Sequence, residues 1–123
     1  MSVAVIQMVS QDDVLANLRT ARLLLEQAAA AGARLAVLPE NFAAIGRRDL
    51  PQLGRAEALG EGPILPWLHQ AARDLGVWIV AGTLPLPPDD QPEAKPHACS
   101  LLIDAQGQPR TVSGRVRLLC DGR

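Results

Sequence analysis

Three short apolar runs mark the first two thirds of the chain. They cover Val3 to Met8, Leu35 to Leu38 and Val77 to Gly82, and their β-branched residues predict three strands. The second run contains no polar residue. Because a strand with one face in water would alternate, this continuity predicts cover on both faces, as in parallel sheets flanked by helices.

A helical repeat separates the first two runs. Apolar residues between Val14 and Ala28 recur at spacings of three and four, which places them on one face of an amphipathic helix. Asp12 or Asp13 is placed to cap the start of this helix by accepting backbone N–H bonds, and Gly32 is placed to end it. The pattern therefore predicts a strand, a long helix and a second strand.

The segment that leads to the third strand is less regular. Residues 46–62 show helical fragments, which we expect Pro51 and Gly54 to interrupt. A clear helical repeat returns from Ile64 to Leu75, and Gly76 is placed to end it. At least one further helix is therefore predicted before the third strand.

The last forty residues are rich in turn signals. Residues 84–97 hold five prolines, which predicts a loop that is neither a helix nor a central strand. A strand is predicted from Ala98, with a turn at Gln106-Gly107 before Pro109, and residues 110–123 give a weak further strand. The order of strands and helices favours an α/β layered fold in one domain.

Composition and charge exclude several classes of partner. The 123 residues are 48% hydrophobic with a net charge of −1, which gives no reason to expect nucleic acid or an anionic membrane as partner. No apolar run approaches the roughly 18 residues of a membrane span, and the first residues do not have the pattern of a signal peptide. Because the sequence has only two cysteines, Cys99 and Cys120, a reducing, cytoplasmic setting is expected.

Glu40 is the first candidate for chemistry, because it follows the second predicted strand directly in "VLPENFAAI". Sites in open α/β sheets lie outside the carboxyl ends of strands. A carboxylate bounded there by Leu38, Phe42 and Ile45 is expected to be desolvated, which suits a general base that works near neutral pH. The alternative is an ordinary solvated acid in a surface loop.

The other chemical groups give weaker signals. His69, His97, Cys99 and Cys120 do not have the paired spacings of a zinc site, so no metal ligand set is predicted. Cys99 is expected to be a small strand residue rather than a nucleophile, because no activating base is evident nearby. The glycine-rich stretch at 60–63 matches neither a phosphate loop nor a dinucleotide fingerprint, which argues against a nucleotide-binding domain. No cofactor is predicted.

Five segments occur in a characteristic order between residues 3 and about 109: "VAVIQM", "AAAAGARLAVLPE", "GEGP", "LGVWIVAGTLP" and "SLLIDAQG". In this order they resemble the carbon-nitrogen hydrolase (nitrilase-like) superfamily. The stretches "LPENFAAIGRRDL" and "KPHACSLLIDAQGQP" look most like the Nit branch, which contains amidases that act on small amides. The "VLPE" element is the most specific of these matches.

The resemblance implies a fold and a mechanism. The family fold is a four-layer α-β-β-α sandwich, of which this chain would be the N-terminal half. The family uses a glutamate base, a lysine and a nucleophilic cysteine to hydrolyse carbon-nitrogen bonds through a thioester. Glu40 matches the glutamate base, and the implied substrate is a small-molecule amide.

The chain departs from the family after about residue 109. Where the family has a lysine-bearing strand, this chain reads "RTVSGRVRLLCDGR", and its one lysine is Lys95. Arg115 falls near the lysine position but cannot donate its proton. Cys120 comes too early to match the family nucleophile. Residues 1–123 are therefore predicted to be a partial carbon-nitrogen hydrolase domain that has an atypical tail from about 110 and is inactive alone.

An incomplete sandwich also predicts an exposed surface. Half of a layered sandwich would leave a sheet face or edge uncovered, and such surfaces favour self-association. The alternative to an amidase is therefore a non-catalytic interaction module that oligomerises through the uncovered sheet.

Overall fold

The computed structural model describes residues 2–44, 49–87, 97–110 and 117–121. Within these ranges the chain forms six strands and three helices. The strands are β1 (Val3–Val5), β2 (Leu35–Val37), β3 (Trp78–Leu86), β4 (His97–Ile103), β5 (Pro109–Arg110) and β6 (Arg117–Asp121), and the helices are α1 (Val14–Ala30), α2 (Leu50–Ala58) and α3 (Ile64–Leu75). This mixture confirms the predicted α/β fold class.

The described strands form one mixed sheet in the order β1-β2-β3-β4-β5, and β6 also pairs with β4. β1, β2 and β3 are parallel, and Val3, Leu35 and Trp78 are partners across them. β4 runs antiparallel to β3, while β5 and β6 run antiparallel to β4. Because the first three strands are parallel, their carboxyl ends meet at one edge of the sheet, the edge at which β2 leads into Glu40.

Helices α1 and α3 cover one face of the sheet. Ala36, Ile79 and Ile103 are fully buried on that face and belong to the same core as the apolar stripe of the two helices. The stripe consists of Val14, Leu18, Ala21 and Leu25 of α1 and Ile64, Leu68, Ala71 and Ala72 of α3. Burial of these side chains is the main contribution to the stability of the fold.

The predicted helix ends are confirmed. Asp13 caps α1, because its side chain accepts a bond from the backbone N–H of Ala16 at 3.1 Å. Gly32, which follows α1, and Gly76, which follows α3, have φ angles of +91° and +64°. Glycine adopts this left-handed conformation without the steric cost that other residues meet.

The opposite face of the sheet carries the alternate residues of the same strands. Val3, Leu35 and Trp78 form one row, and Val5, Val37, Val80 and Leu102 form a second. We call these seven residues the bare face. Val3 and Val5 are 55% and 79% exposed, and the other five residues are partly exposed. The prediction that the sheet is covered on both faces is therefore wrong for the part of the chain that the structure describes.

Two strand boundaries differ from the sequence prediction. β1 ends at Val5 rather than Met8, and β3 continues to Leu86 through Pro85, where the prolines predict a loop. The pairing of β2 with β3 ends at Val80, so Pro85 is paired with β4 through Ala98. A strand segment that is paired on one side tolerates the missing N–H of proline.

Helix α2 is continuous, whereas Pro51 and Gly54 predict fragments. Pro51 lies in the first turn, where its missing N–H costs no helical hydrogen bond. Gly54 is buried, and a Cβ atom there would lie 1.6 Å from the carbonyl oxygen of Pro85. The glycine therefore lets α2 lie directly against the backbone of β3 rather than ending the helix.

The weak strand signal after residue 110 corresponds to β6. In its backbone register Cys120 is the partner of Cys99 in β4. Among the helices that the structure describes, none has the length and apolar character needed to span a bilayer.

Candidate active site

Glu40 lies at the carboxyl edge of the parallel strands, as its place in the sequence predicts. Leu38 continues the line of β2, because its N–H donates to the carbonyl of Val80 at 2.9 Å and its side chain is buried. Pro39 follows and is half-buried, and Glu40 is the first exposed residue after the strand. The desolvation expected for Glu40 is therefore not found, because the described residues leave its side chain in contact with solvent.

The chain turns back into the core directly after Glu40. Asn41 has a φ angle of +49°, in the left-handed region that asparagine adopts more readily than most residues. The N–H of Ala44 donates to the carbonyl of Asn41 at 3.3 Å, and residues 42–44 are buried. Residues 40–44, which we call the Glu40 loop, thus combine an exposed acid with a buried turn. The apolar residues that follow Glu40 in the sequence form this turn.

Three side-chain contacts hold the Glu40 loop against α1, α3 and the segment between β1 and α1. The ring of Phe42 lies 6.0 Å from the ring of Trp67 in α3. The hydroxyl of Ser10 donates to the carbonyl of Phe42 at 2.8 Å, and Nδ2 of Asn17 donates to the carbonyl of Ala43 at 2.8 Å. Sequence reasoning missed Ser10 and Asn17, although a polar residue inside the apolar stripe of α1 is a signal that could have revealed Asn17.

Strand β3 approaches the same loop closely through a glycine. A Cβ atom on Gly82 would lie 2.0 Å from the carbonyl oxygen of Pro39 and 2.4 Å from that of Leu38. Both atoms belong to the backbone, which cannot move aside without displacing the end of β2. The peptide that precedes Glu40 is therefore held between its own strand and β3.

Burial acts on a different carboxylate, that of Glu57 in α2. Glu57 is 3% exposed, and its two oxygens accept bonds from the backbone N–H groups of Ile64 at 2.8 Å and Leu65 at 2.7 Å. Burial raises the pKa of Glu57, and the two N–H bonds oppose part of that rise. Since these N–H groups open α3 and have no partner within the helix, Glu57 stabilises the α2–α3 junction.

A second buried acid, Asp104, organises the turn between β4 and β5. It accepts bonds from the N–H groups of Gln108 and Gln106, both at 2.9 Å, and from Nε of Arg110 at 2.8 Å. These bonds, that of Gln108 first, lower the pKa of Asp104. His69 contacts the same turn, with Nδ1 2.7 Å from the carbonyl oxygen of Gly107. Asp104 and His69 therefore both stabilise the turn between β4 and β5.

The remaining sequence candidates that the structure describes belong to the antiparallel strands β4 and β6. His97 and Cys99 both lie in β4, and Cys99 is 1% exposed. The backbone of Cys120 lies within β6, not at a turn from a strand into a helix, where a nucleophile would be exposed. Lys95 and Arg115 lie outside the described residues.

Comparison with known proteins gives the family. Residues 2–120 match the model of the carbon-nitrogen hydrolase family. The chain is 35% identical over 120 residues to human deaminated glutathione amidase and 33% identical over 105 residues to that of Synechocystis sp.. These matches cover 97% and 85% of this chain but 36% and 38% of the relatives, so the chain spans little more than a third of their length.

Solved structures agree on the fold. The NitFhit protein of C. elegans superimposes with a TM-score of 0.70 at 24% identity over 97% of this chain and 32% of its own. An amidase from Nesterenkonia sp. superimposes with a TM-score of 0.69 at 23% identity over 88% of this chain and 40% of its own. The predicted nitrilase-like architecture is thus confirmed, and the chain belongs to the carbon-nitrogen hydrolase family.

Proposed function

We propose that this chain supplies the general base of a hydrolase that cleaves the carbon-nitrogen bond of a small-molecule amide, and that Glu40 is this base. The observation that carries the proposal is the position of Glu40, whose side chain is exposed while the backbone on both sides of it is packed. An acid held in this way can receive a proton from a group that approaches from outside the described residues.

In the proposed reaction Glu40 accepts the proton of a cysteine thiol. The thiolate sulfur then forms a bond to the amide carbon, and a lysine stabilises the negative charge on the oxygen. The carbon-nitrogen bond breaks, and the nitrogen leaves with the proton as ammonia or an amine. Water hydrolyses the thioester, which releases the carboxylic acid and restores the thiol.

We propose further that the 123 residues alone hydrolyse little or no amide. The one lysine of the sequence, Lys95, precedes the position at which the family has its lysine, and the arginine near that position cannot act as a proton donor. Cys99 is buried in β4, away from the solvent that a substrate would cross. The lysine and the nucleophilic cysteine would then have to come from another polypeptide segment.

Similar proteins support the proposed substrate class. Relatives that match most of this chain are named deaminated glutathione amidases. A double mutant of the Nesterenkonia amidase was solved in complex with acrylamide, and a single mutant shows acrylamide added at its active-site cysteine. A small amide is therefore the substrate class that we propose here.

Two assays test the base and the predicted inactivity separately. The purified chain is incubated with small amides, including acrylamide, and ammonia release is expected to stay at background. Residues 1–109 are then substituted for the matching segment of the Synechocystis amidase, so that the lysine-bearing strand and the later cysteine of the family mechanism come from that amidase. In that chimera Glu40→Gln is expected to lower hydrolysis at least about 100-fold, whereas Glu61→Gln, at another exposed glutamate, is expected to leave it unchanged.

Each outcome bears on one claim. Turnover by the isolated chain would refute its inactivity. An active chimera whose rate is unaffected by Glu40→Gln would refute the role of Glu40 as the base.

The bare face supports a second candidate function, self-association. Its seven side chains are all apolar, and an open groove of about 820 Å³ runs along Trp78, Val80 and Leu102. The Arg110 guanidinium lies 5.7 Å from the centre of the Trp78 ring, at one end of this surface. A contiguous apolar surface of this kind favours contact with another apolar surface, which here would be a second copy of the chain.

Sedimentation over a range of concentrations tests this candidate. A dimer or larger species is expected, and Leu102→Glu is expected to dissociate it. Leu23→Glu on α1 is the matched control, because Leu23 is an exposed leucine (61%) on the helical side of the molecule. A monomer at all concentrations would count against self-association.

The cytoplasm is the compartment that we propose for the protein. The two cysteines of the sequence are too few for the dense disulfide framework of a small secreted domain, which supports the proposal, although Cys99 is disulfide-bonded in the structure. Cell fractionation with an antibody against the chain would check the proposal.

A further inference from the structure

Asn17 occupies a place in α1 where the helical pattern calls for an apolar residue. It lies between Val14 and Leu18 on the buried side of the helix and is only 2% exposed. A buried amide is costly unless its polar atoms have hydrogen-bond partners. The contacts of Asn17 therefore indicate why a polar side chain is accommodated here.

All of the polar atoms of the Asn17 side chain are used, and all of their partners lie in two loops. Oδ1 accepts from the N–H of Gln11 at 2.8 Å, and Nδ2 donates to the carbonyl of the same residue at 2.7 Å. Nδ2 also donates to the carbonyl of Ala43 at 2.8 Å. The segment after β1 and the Glu40 loop after β2 are thus joined through one amide group.

A second side chain acts on the neighbouring carbonyl. The hydroxyl of Ser10 donates to Phe42 at 2.8 Å, so two consecutive carbonyls of the Glu40 loop are held from the segment between β1 and α1 and from α1 itself. These bonds fix the peptide planes two and three residues after Glu40. Gly82 restricts the preceding peptide, so the backbone is held on both sides of the acid.

We propose that Asn17 is a positioning residue for Glu40, with Ser10 in a supporting role. This inference rests on the function proposed above, in which Glu40 is the base. Asn17 does not touch the reacting atoms. It fixes the turn at residues 41–44, and this turn directs the Glu40 carboxylate, because an exposed side chain has few other contacts to set its direction.

Asn17→Ala and Asn17→Asp in the full 123-residue chain test the proposal, with Gln27→Glu on the exposed side of α1 as control. In Asn17→Ala, loss of the amide is expected to speed hydrogen exchange about tenfold at the N–H groups of Gln11 and Ala44, a change equivalent to one hydrogen bond. Asn17→Asp keeps an oxygen that accepts from the N–H of Gln11 and loses the bond to Ala43, so its faster exchange is expected at Ala44. The N–H groups of Val77 and Trp78, at the start of β3, report any global loss of stability.

A second measurement separates positioning from general destabilisation. Backbone order parameters of residues 40–44 from nuclear magnetic resonance are expected to fall from about 0.85 to below about 0.6 in both Asn17 variants. Asn17→Asp regains one hydrogen-bond donor when its carboxyl group is protonated. Its order parameters are therefore expected to recover as the pH is lowered, whereas those of Asn17→Ala are not.

The proposal is overturned if exchange at Gln11 and Ala44 in Asn17→Ala increases no more than at Val77 and Trp78, or if the Glu40 loop keeps its order parameters. Neither measurement requires turnover, so failure of the proposed hydrolysis remains distinguishable. In an active chimera Asn17→Ala is expected to lower kcat about tenfold and to change KM less than about twofold. An unchanged kcat would show that the contact of Asn17 with the Glu40 loop does not affect catalysis, even if the loop became more mobile in the variant.

Discussion

The two regions around Glu40 and Glu57 use a carboxylate in opposite ways. Glu57 is buried and both of its oxygens accept backbone N–H bonds, whereas Glu40 is exposed at the end of a strand whose backbone is tightly packed. The Glu57 side chain stabilises the fold, whereas at Glu40 the packed backbone restrains the position of the residue. The comparison teaches that burial alone does not distinguish the acid that we propose as the base, whereas packing of the adjacent backbone does.

Gly82→Ala is expected to give the largest effect, because the added Cβ would meet two backbone carbonyl oxygens beside Glu40. We expect a loss of about 3 kcal/mol in the free energy of unfolding, measured with urea. Gly32→Ala is the control. Nothing lies within 4 Å of its Cβ position, so only the positive φ angle should cost stability, by about 1 kcal/mol. Equal losses in the two variants would show that the backbone beside Glu40 is not closely packed.

Glu57→Ala is expected to rank second, with a loss of about 2 kcal/mol in the free energy of unfolding. The substitution leaves the N–H groups of Ile64 and Leu65 without their carboxylate partner at the buried start of α3. The exposed Glu61→Ala is the matched control and should stay within about 0.5 kcal/mol of the unchanged protein. If both variants unfold at the same urea concentration, the structural role of Glu57 is wrong.

The pH dependence of stability should follow the raised pKa of Glu57. Because the folded protein holds the Glu57 proton more tightly than the unfolded chain, this group favours folding less as the pH rises from the ordinary glutamate pKa through the raised one. The unfolding free energy of the unchanged protein minus that of Glu57→Gln should therefore decrease across this interval. Subtraction removes the opposite contributions of Asp74 and Asp104, whose pKa values are lowered. An increase in the difference with pH would contradict the sign.

Glu40→Gln is expected to have the smallest effect on stability, within about 0.5 kcal/mol, because the side chain is exposed. Urea unfolding of the isolated chain measures this directly. A loss comparable to that of Glu57→Ala would remove the contrast between the two regions and would assign Glu40 a structural role.

Much of the fold follows from local pattern. The apolar stripe of α1, the stripe of α3 and the glycines that end both helices are visible in the sequence because they depend on residues a few positions apart. The helix breaks predicted at Pro51 and Gly54 were wrong. The effect of Pro51 depends on its position in the first turn of α2, and Gly54 is required by contact with a distant strand. Similarly, Pro85 is compatible with β3 because β2 has already ended beside it.

In the candidate site, too, some residues can be recognised from local sequence and others depend on distant contacts. Glu40 could be identified from its place after a buried strand and from the family resemblance. Asn17 is visible only as a polar residue in the apolar stripe of α1. Its partner Ala43, 26 positions away, and the close approach at Gly82 could not be predicted, because both depend on segments that are distant in the sequence. The exposure of Glu40 was also hidden, since its apolar neighbours in the sequence point into the core while the acid does not.

The close approach at Gly82 has a practical meaning for mutagenesis. A library of random variants selected only for correctly folded protein would lose substitutions at this glycine early, yet would keep many at Glu40. Such a library would therefore identify Gly82 as an essential position and would give no sign that Glu40, the proposed base, matters. A selection for hydrolysis in the chimera is the experiment in which the two positions should become equally restricted.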